Sequence, residues 1–116
     1  MRIARPASWH LPIYKAAERL RYGLGWSKSR LAAELGVNPG QWVRYENGRH
    51  AFSLPAIELV RETFGIDIYV LAYCLYNDTS KLPPRIQELL AELRDEWTEQ
   101  IERMHRGQQR LPFSLN

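Results

Sequence analysis

The sequence predicts an all-α protein, five short helices followed by one long amphipathic helix. Three observations carry that reading. No run alternates apolar and polar residues at period two for long enough to make a strand. All seven prolines (6, 12, 39, 55, 83, 84 and 112) fall outside helical patterns or in a first turn, where a missing N–H costs little. After Lys81 the apolar residues settle into alternating four- and three-residue steps, the spacing of a heptad seam.

The elements follow in order. Pro12 to Gly23 spaces Ile13, Ala16, Ala17, Leu20 and Leu24 as one buried stripe. Gly23-Leu24-Gly25 reads as the end of that helix, since no glycine-rich phosphate loop surrounds it. Ser27 has the chemistry of an N-cap for Lys28–Leu35, and Gly36 that of the residue after a helix end. Asn38-Pro39 starts a third, short helix that stops at Asn47-Gly48. A fourth runs from about Leu54 to Phe64 behind Ser53, and Gly65 stops it. Asp67 caps a fifth, Ile68–Asn77, apolar nearly all round and so expected at the centre of the core. The last helix is expected from Pro83 to about Gly107, with a short tail of alternating Leu111, Phe113 and Leu115. Two units result: residues 1–80 and residues 81–116.

Composition narrows the class. The chain has 116 residues, 45% hydrophobic and 25% charged, which excludes wholesale disorder and leaves one compact domain with an appendage. One cysteine, Cys74, cannot form an internal disulfide or a thiolate metal site, so a reducing compartment is expected, and Cys74 itself is read as a small core residue. The N-terminus lacks the apolar stretch of a secretory signal, and the longest apolar run, Ile68–Tyr76, is nine residues. A bilayer span needs about 20. A soluble, cytoplasmic protein with no membrane partner is the expectation.

Charge is uneven. Residues 1–50 hold nine Lys/Arg against three Asp/Glu, net +6, residues 51–80 are net −3, and residues 81–116 are neutral. A basic first half on a modest total suits one face that meets an anion.

The stretch Ser27 to Arg49 has the properties two crossing helices need if one of them is to enter a DNA groove. Ala32 is small enough for a close crossing, Gly36 makes the turn, and Val37, Trp42 and Tyr45 lock the pair from inside. The outer face of the second helix is then free for a major groove about 12 Å wide. Ser27, Leu31, Ala32, Leu35, Gly36, Val37 and Glu46-Asn47-Gly48 resemble the pattern of the phage-repressor and Cro-like (Xre-type) helix-turn-helix family. The resemblance covers about residues 13–76 and implies a five-helix lambda-repressor-like domain that binds double-stranded DNA. The chain departs from that pattern at Lys28, where glutamine is common, at Pro39-Gly40, which opens the recognition helix, and at Trp42, where a smaller aliphatic is usual.

On the outward face, Gln41 and Arg44 are one turn apart, and with Gly40 and Val43 they are the expected base-reading residues. Glutamine can pair bidentately with adenine, arginine with guanine, valine can touch a thymine methyl, and glycine admits close backbone approach. Ser27, Lys28, Ser29, Asn47 and Arg49 match the family's phosphate-contacting positions at helix ends, where free N–H groups also favour anions. Glu46 would repel phosphate, so an inward role is expected, paired with Arg19 or Arg21. Arg2 and Arg5 could lie in a minor groove, although a solubilising terminus is the commoner role for such an arm.

No catalytic constellation appears. His10, His50 and His105 have no metal-ligand spacing, so no metal, cofactor or small-molecule ligand is expected, and no enzyme activity. RNA binding lacks a stacking sheet. The resulting expectation is a sequence-specific transcriptional regulator, an autoregulatory homodimeric repressor on a palindromic operator. The alternative is an antitoxin or adaptor that holds a protein partner through its last helix and tail. Ile86, Leu90, Leu93, Trp97 and Met104 form the seam expected to pair with a second copy in preference to folding back, with Gln100 as a polar register residue.

Overall fold

The computed structural model describes residues 11–110. They form six helices and, among these residues, no strand: α1 (Ile13–Leu24), α2 (Lys28–Leu35), α3 (Pro39–Glu46), α4 (Leu54–Phe64), α5 (Ile68–Tyr76) and α6 (Pro84–Arg110). The expected start and stop chemistry operates at each junction. Ser27 and Ser53 accept hydrogen bonds from the N–H groups of Arg30 and Ala56, three residues on. Asn38 and Asp67 each accept two. Gly36 ends α2 at φ 74°, with open space where a Cβ would lie, so the backbone angle alone selects glycine there.

The core is built from the inward stripes of the first five helices. Ala16, Ala17, Leu20, Leu31, Ala32, Trp42, Val60, Ile66, Ile68 and Ala72 are fully buried. α1 is central, packing against α3, α5 and α6, while α2 packs against α3 and α4. The fifth helix departs from its expected place. Only Ile68, Leu71 and Ala72 of α5 are fully buried, while Tyr69, Val70 and Tyr76 are exposed at its surface. The helix packs against α1, α4 and α6 but leaves one side half wet, and tyrosines tolerate that because the hydroxyl stays solvated.

The long helix also departs from expectation. Its second half lies on the same chain's core: Ile101 is buried, and Trp97 and Met104 pack beside it. A Cβ on Gly23 would come within 2.5 Å of the Ile101 side chain, so α1 and α6 cross with no room for any residue but glycine. Gln100 donates a hydrogen bond to the carbonyl of Phe64, the last residue of α4, and His105 Nδ1 lies 3.0 Å from the carbonyl of Leu24, the last residue of α1. Both side chains reach carbonyls left without helical partners at helix ends. Trp97, Gln100 and Met104 thus pack on this chain's own core. In the first half, Ile86 and Leu89 are exposed, Leu90 and Leu93 half-buried. The expected tail residues Leu111, Phe113 and Leu115, and the basic arm with Arg2 and Arg5, lie outside the described residues.

Candidate nucleic-acid interface

Helices α2 and α3 are joined by Gly36-Val37-Asn38. The turn is held by the Val37 N–H on the Ala32 carbonyl (2.8 Å) and the Gly36 N–H on Ala33 (3.2 Å). Asn38 Oδ1 then accepts from the N–H groups of Gly40 (2.8 Å) and Gln41 (3.2 Å). Those two amides are thus already partnered and are not among the free N–H groups expected to greet an anion. The Arg30 N–H at the start of α2 is likewise taken by Ser27.

One face of α3 is fixed from within. Trp42 is fully buried and meets Phe52 edge-on (5.6 Å between centroids, 90°), while Tyr45 stacks on the same phenylalanine (4.2 Å, 17°). Phe52, outside any helix, completes this aromatic cluster, and nothing in its local spacing marked it. Glu46 points inward, and of the two arginines expected for it the structure selects Arg21. Arg21 Nε and Nη2 donate to the two Glu46 carboxylate oxygens at 2.7 and 3.1 Å, and Nη1 donates to the Trp26 carbonyl at 3.0 Å. The Trp42 indole N–H donates to the same carboxylate. An indole at position 42 therefore supplies a donor that an aliphatic residue could not. Glu46 holds the Arg21 guanidinium even more firmly protonated than usual, chiefly through that hydrogen bond. The arrangement ties α3 to α1 with every charge and buried N–H answered.

The other face of α3 is open. Gly40, Val43 and Arg44 are exposed, and Gln41 is half-buried. Of the four expected readers, Arg44 and Gln41 touch: Arg44 Nε and Nη2 donate to Gln41 Oε1 at 3.3 and 3.0 Å. Gly40 lies under this pair, where a Cβ would sit 3.6 Å from Arg44 Nη1 and 3.1 Å from Asn38 Oδ1. Ser27, Lys28 and Ser29 stand exposed at the N-terminus of α2, and Asn47 and Arg49 beyond the C-terminus of α3. Asn47 Oδ1 accepts the Arg49 N–H (3.0 Å), which shapes the turn after α3. His50, read as a scattered histidine in the sequence, lies 3.2 Å from Gln41.

Among the described residues no group of His, Cys, Asp and Glu could hold a metal ion. Nor is any helix among them long and apolar enough to cross a membrane. Cys74 is half-buried on α5, and burial pushes its thiol pKa up.

Residues 14–68 match a protein family described as a helix-turn-helix domain. The matched span runs from the first turn of α1 to the start of α5, and takes in the whole α2–turn–α3 unit and the aromatic cluster behind it. Neither the curated proteins nor the solved structures hold a match to the chain. The α2–turn–α3 unit thus lies within a stretch similar to that family, and a domain of that kind points to a DNA-binding regulator.

Proposed function

We propose that this protein is a sequence-specific transcriptional regulator of the phage-repressor and Cro-like type, acting as a homodimeric, autoregulatory repressor in the cytoplasm. A single observation carries the reading. On α3, Trp42, Tyr45 and Glu46 are buried and pinned to α1 and Phe52, while Gly40, Val43 and Arg44 face outward. A helix fixed on one side and open on the other is what insertion into a major groove requires. Arg44 and Gln41 are then the base readers, and Lys28, Ser27, Ser29, Asn47 and Arg49 the phosphate contacts.

A dimer follows from the first half of α6. Ile86 is 41% and Leu89 43% exposed, with Leu90 and Leu93 beside them. A second copy packed there would cover this face and relate two α3 helices by a two-fold axis. Two recognition helices about 34 Å apart read a palindrome with half-sites one turn apart. The test is selection of bound fragments from random DNA with the full chain. Enrichment of a two-fold symmetric site is expected, and enrichment of no sequence at all overturns the reading.

A further inference from the structure

His50 has no role in the fold described above, yet it is placed with some care. Its own N–H and that of Arg49 both donate to the Arg44 carbonyl, at 3.2 and 3.0 Å. The chain leaving α3 is thereby folded back along the helix, and the imidazole comes to Gln41: His50 Nδ1 lies 3.2 Å from Gln41 Nε2.

The donor inventory decides how these three side chains must be arranged. A guanidinium has donors only, so Arg44 can bind nothing of Gln41 but its oxygen. Both of its contacts, at 3.0 and 3.3 Å, are to Oε1. That leaves the Gln41 NH2 facing residue 50, where it needs an acceptor. A histidine supplies one at Nδ1 only when it is neutral and carries its proton on Nε2. The tautomer of His50 and the direction of the Gln41 carboxamide are thus set together.

Direction matters because glutamine pairs with adenine through an ordered acceptor and donor, Oε1 to the N6 amino group and Nε2 to N7. We infer that His50 is a positioning residue for base readout: it fixes the direction of the Gln41 carboxamide, and through it the resting place of Arg44. This rests on the reading of α3 as the recognition helix. A ring protonated on both nitrogens has no acceptor at Nδ1, so the arrangement of Gln41 and Arg44 belongs to the neutral imidazole.

Two measurements test this. The first uses the free protein, by nitrogen-15 NMR of wild type, His50→Asn and His50→Ala. Asparagine offers an oxygen at the same distance along the side chain as Nδ1, and alanine offers none. His50 is expected in the Nε2–H tautomer, and the Gln41 side-chain amide signals should keep their wild-type positions in His50→Asn and move in His50→Ala. An Nδ1–H tautomer, or Gln41 signals unmoved in His50→Ala, overturns the inference.

The second measures affinity for the selected site and its single-base variants at fixed salt. The base pair at which Gln41→Ala loses discrimination should be the one at which His50→Ala loses roughly tenfold, within the range of one bidentate contact, while His50→Asn retains it. His50→Ala discriminating as wild type does, or His50→Asn failing to retain discrimination, overturns the inference and leaves DNA reading intact. Failure of wild type to enrich any site, with the NMR signature present, overturns DNA reading instead.

Discussion

Glu46 sits on α3 yet faces away from its open side. Its side chain is 2% exposed, and it takes two hydrogen bonds from Arg21 and one from the Trp42 indole. Removing one member of such a buried pair leaves the other charge uncompensated, so Glu46→Ala should cost about 3–5 kcal/mol. Chemical denaturation will show this as a lower midpoint with an unchanged slope. The same substitution on an exposed pair such as Arg61–Glu58 should cost no more than about 1 kcal/mol. Arg44 is the opposite case, exposed and held by a single neighbour. Arg44→Ala should leave the denaturation midpoint unchanged while losing about 1–3 kcal/mol of discrimination at one base pair, read by comparing single-base variants of the selected site. Cys74 yields a pH prediction. Burial raises its thiol pKa, so less thiolate is present at neutral pH than in a free cysteine. Its alkylation should be slow there, and the rate should rise with pH to a midpoint above that of a free thiol, as a rate profile with iodoacetamide will show.

At the scale of elements, the crossing of α1 and α6 is the most demanding contact. Gly23→Ala favours α1 by about 1 kcal/mol of helix propensity but drives a methyl group into Ile101. Overpacking of a closed contact costs about 1–3 kcal/mol, so a net loss of stability is expected. Ile101→Ala alone should cost about 2–5 kcal/mol, since it empties a buried site. The double variant should be less destabilised than the two losses added, because the new methyl fills space the old side chain vacated. Strict additivity in denaturation would mean that the helices do not meet there.

For the whole molecule, the division of α6 bears on the proposed dimer. Its second half is occupied by its own chain through Trp97, Gln100, Ile101 and Met104, and only the first half offers Ile86 and Leu89 to a partner. Ile86→Asp with Leu89→Asp should turn a dimer into a monomer in sedimentation without unfolding it, since both side chains are exposed. Affinity for a full palindrome should fall steeply while affinity for a half-site stays unchanged. A wild type that sediments as a monomer at micromolar concentration would remove the dimer from the account.

The helix boundaries, the α2–turn–α3 unit and the inward face of α3 were legible in the sequence. They rest on local chemistry, namely caps at Ser27, Asn38, Ser53 and Asp67, a left-handed glycine at 36, and apolar spacing within one or two turns. Local signals of that kind are written in neighbouring residues and need no knowledge of the rest of the chain. Which arginine answers Glu46 was not legible, because Arg19 and Arg21 are close on one helix and its rotation against α3 chooses between them. Nor was the use of Gly23, which reads as a helix terminator until Ile101 is laid across it. The seam of α6 shows the same limit at larger scale. A heptad stripe states that a helix has an apolar face, and nothing in the stripe states whether its own domain or another copy will cover it. Tertiary structure decided that for the second half, through the gap left at Gly23 and the carbonyls at Leu24 and Phe64. It also brought His50 to Gln41, since two side chains nine residues apart meet only when the turn after α3 folds back on the Arg44 carbonyl.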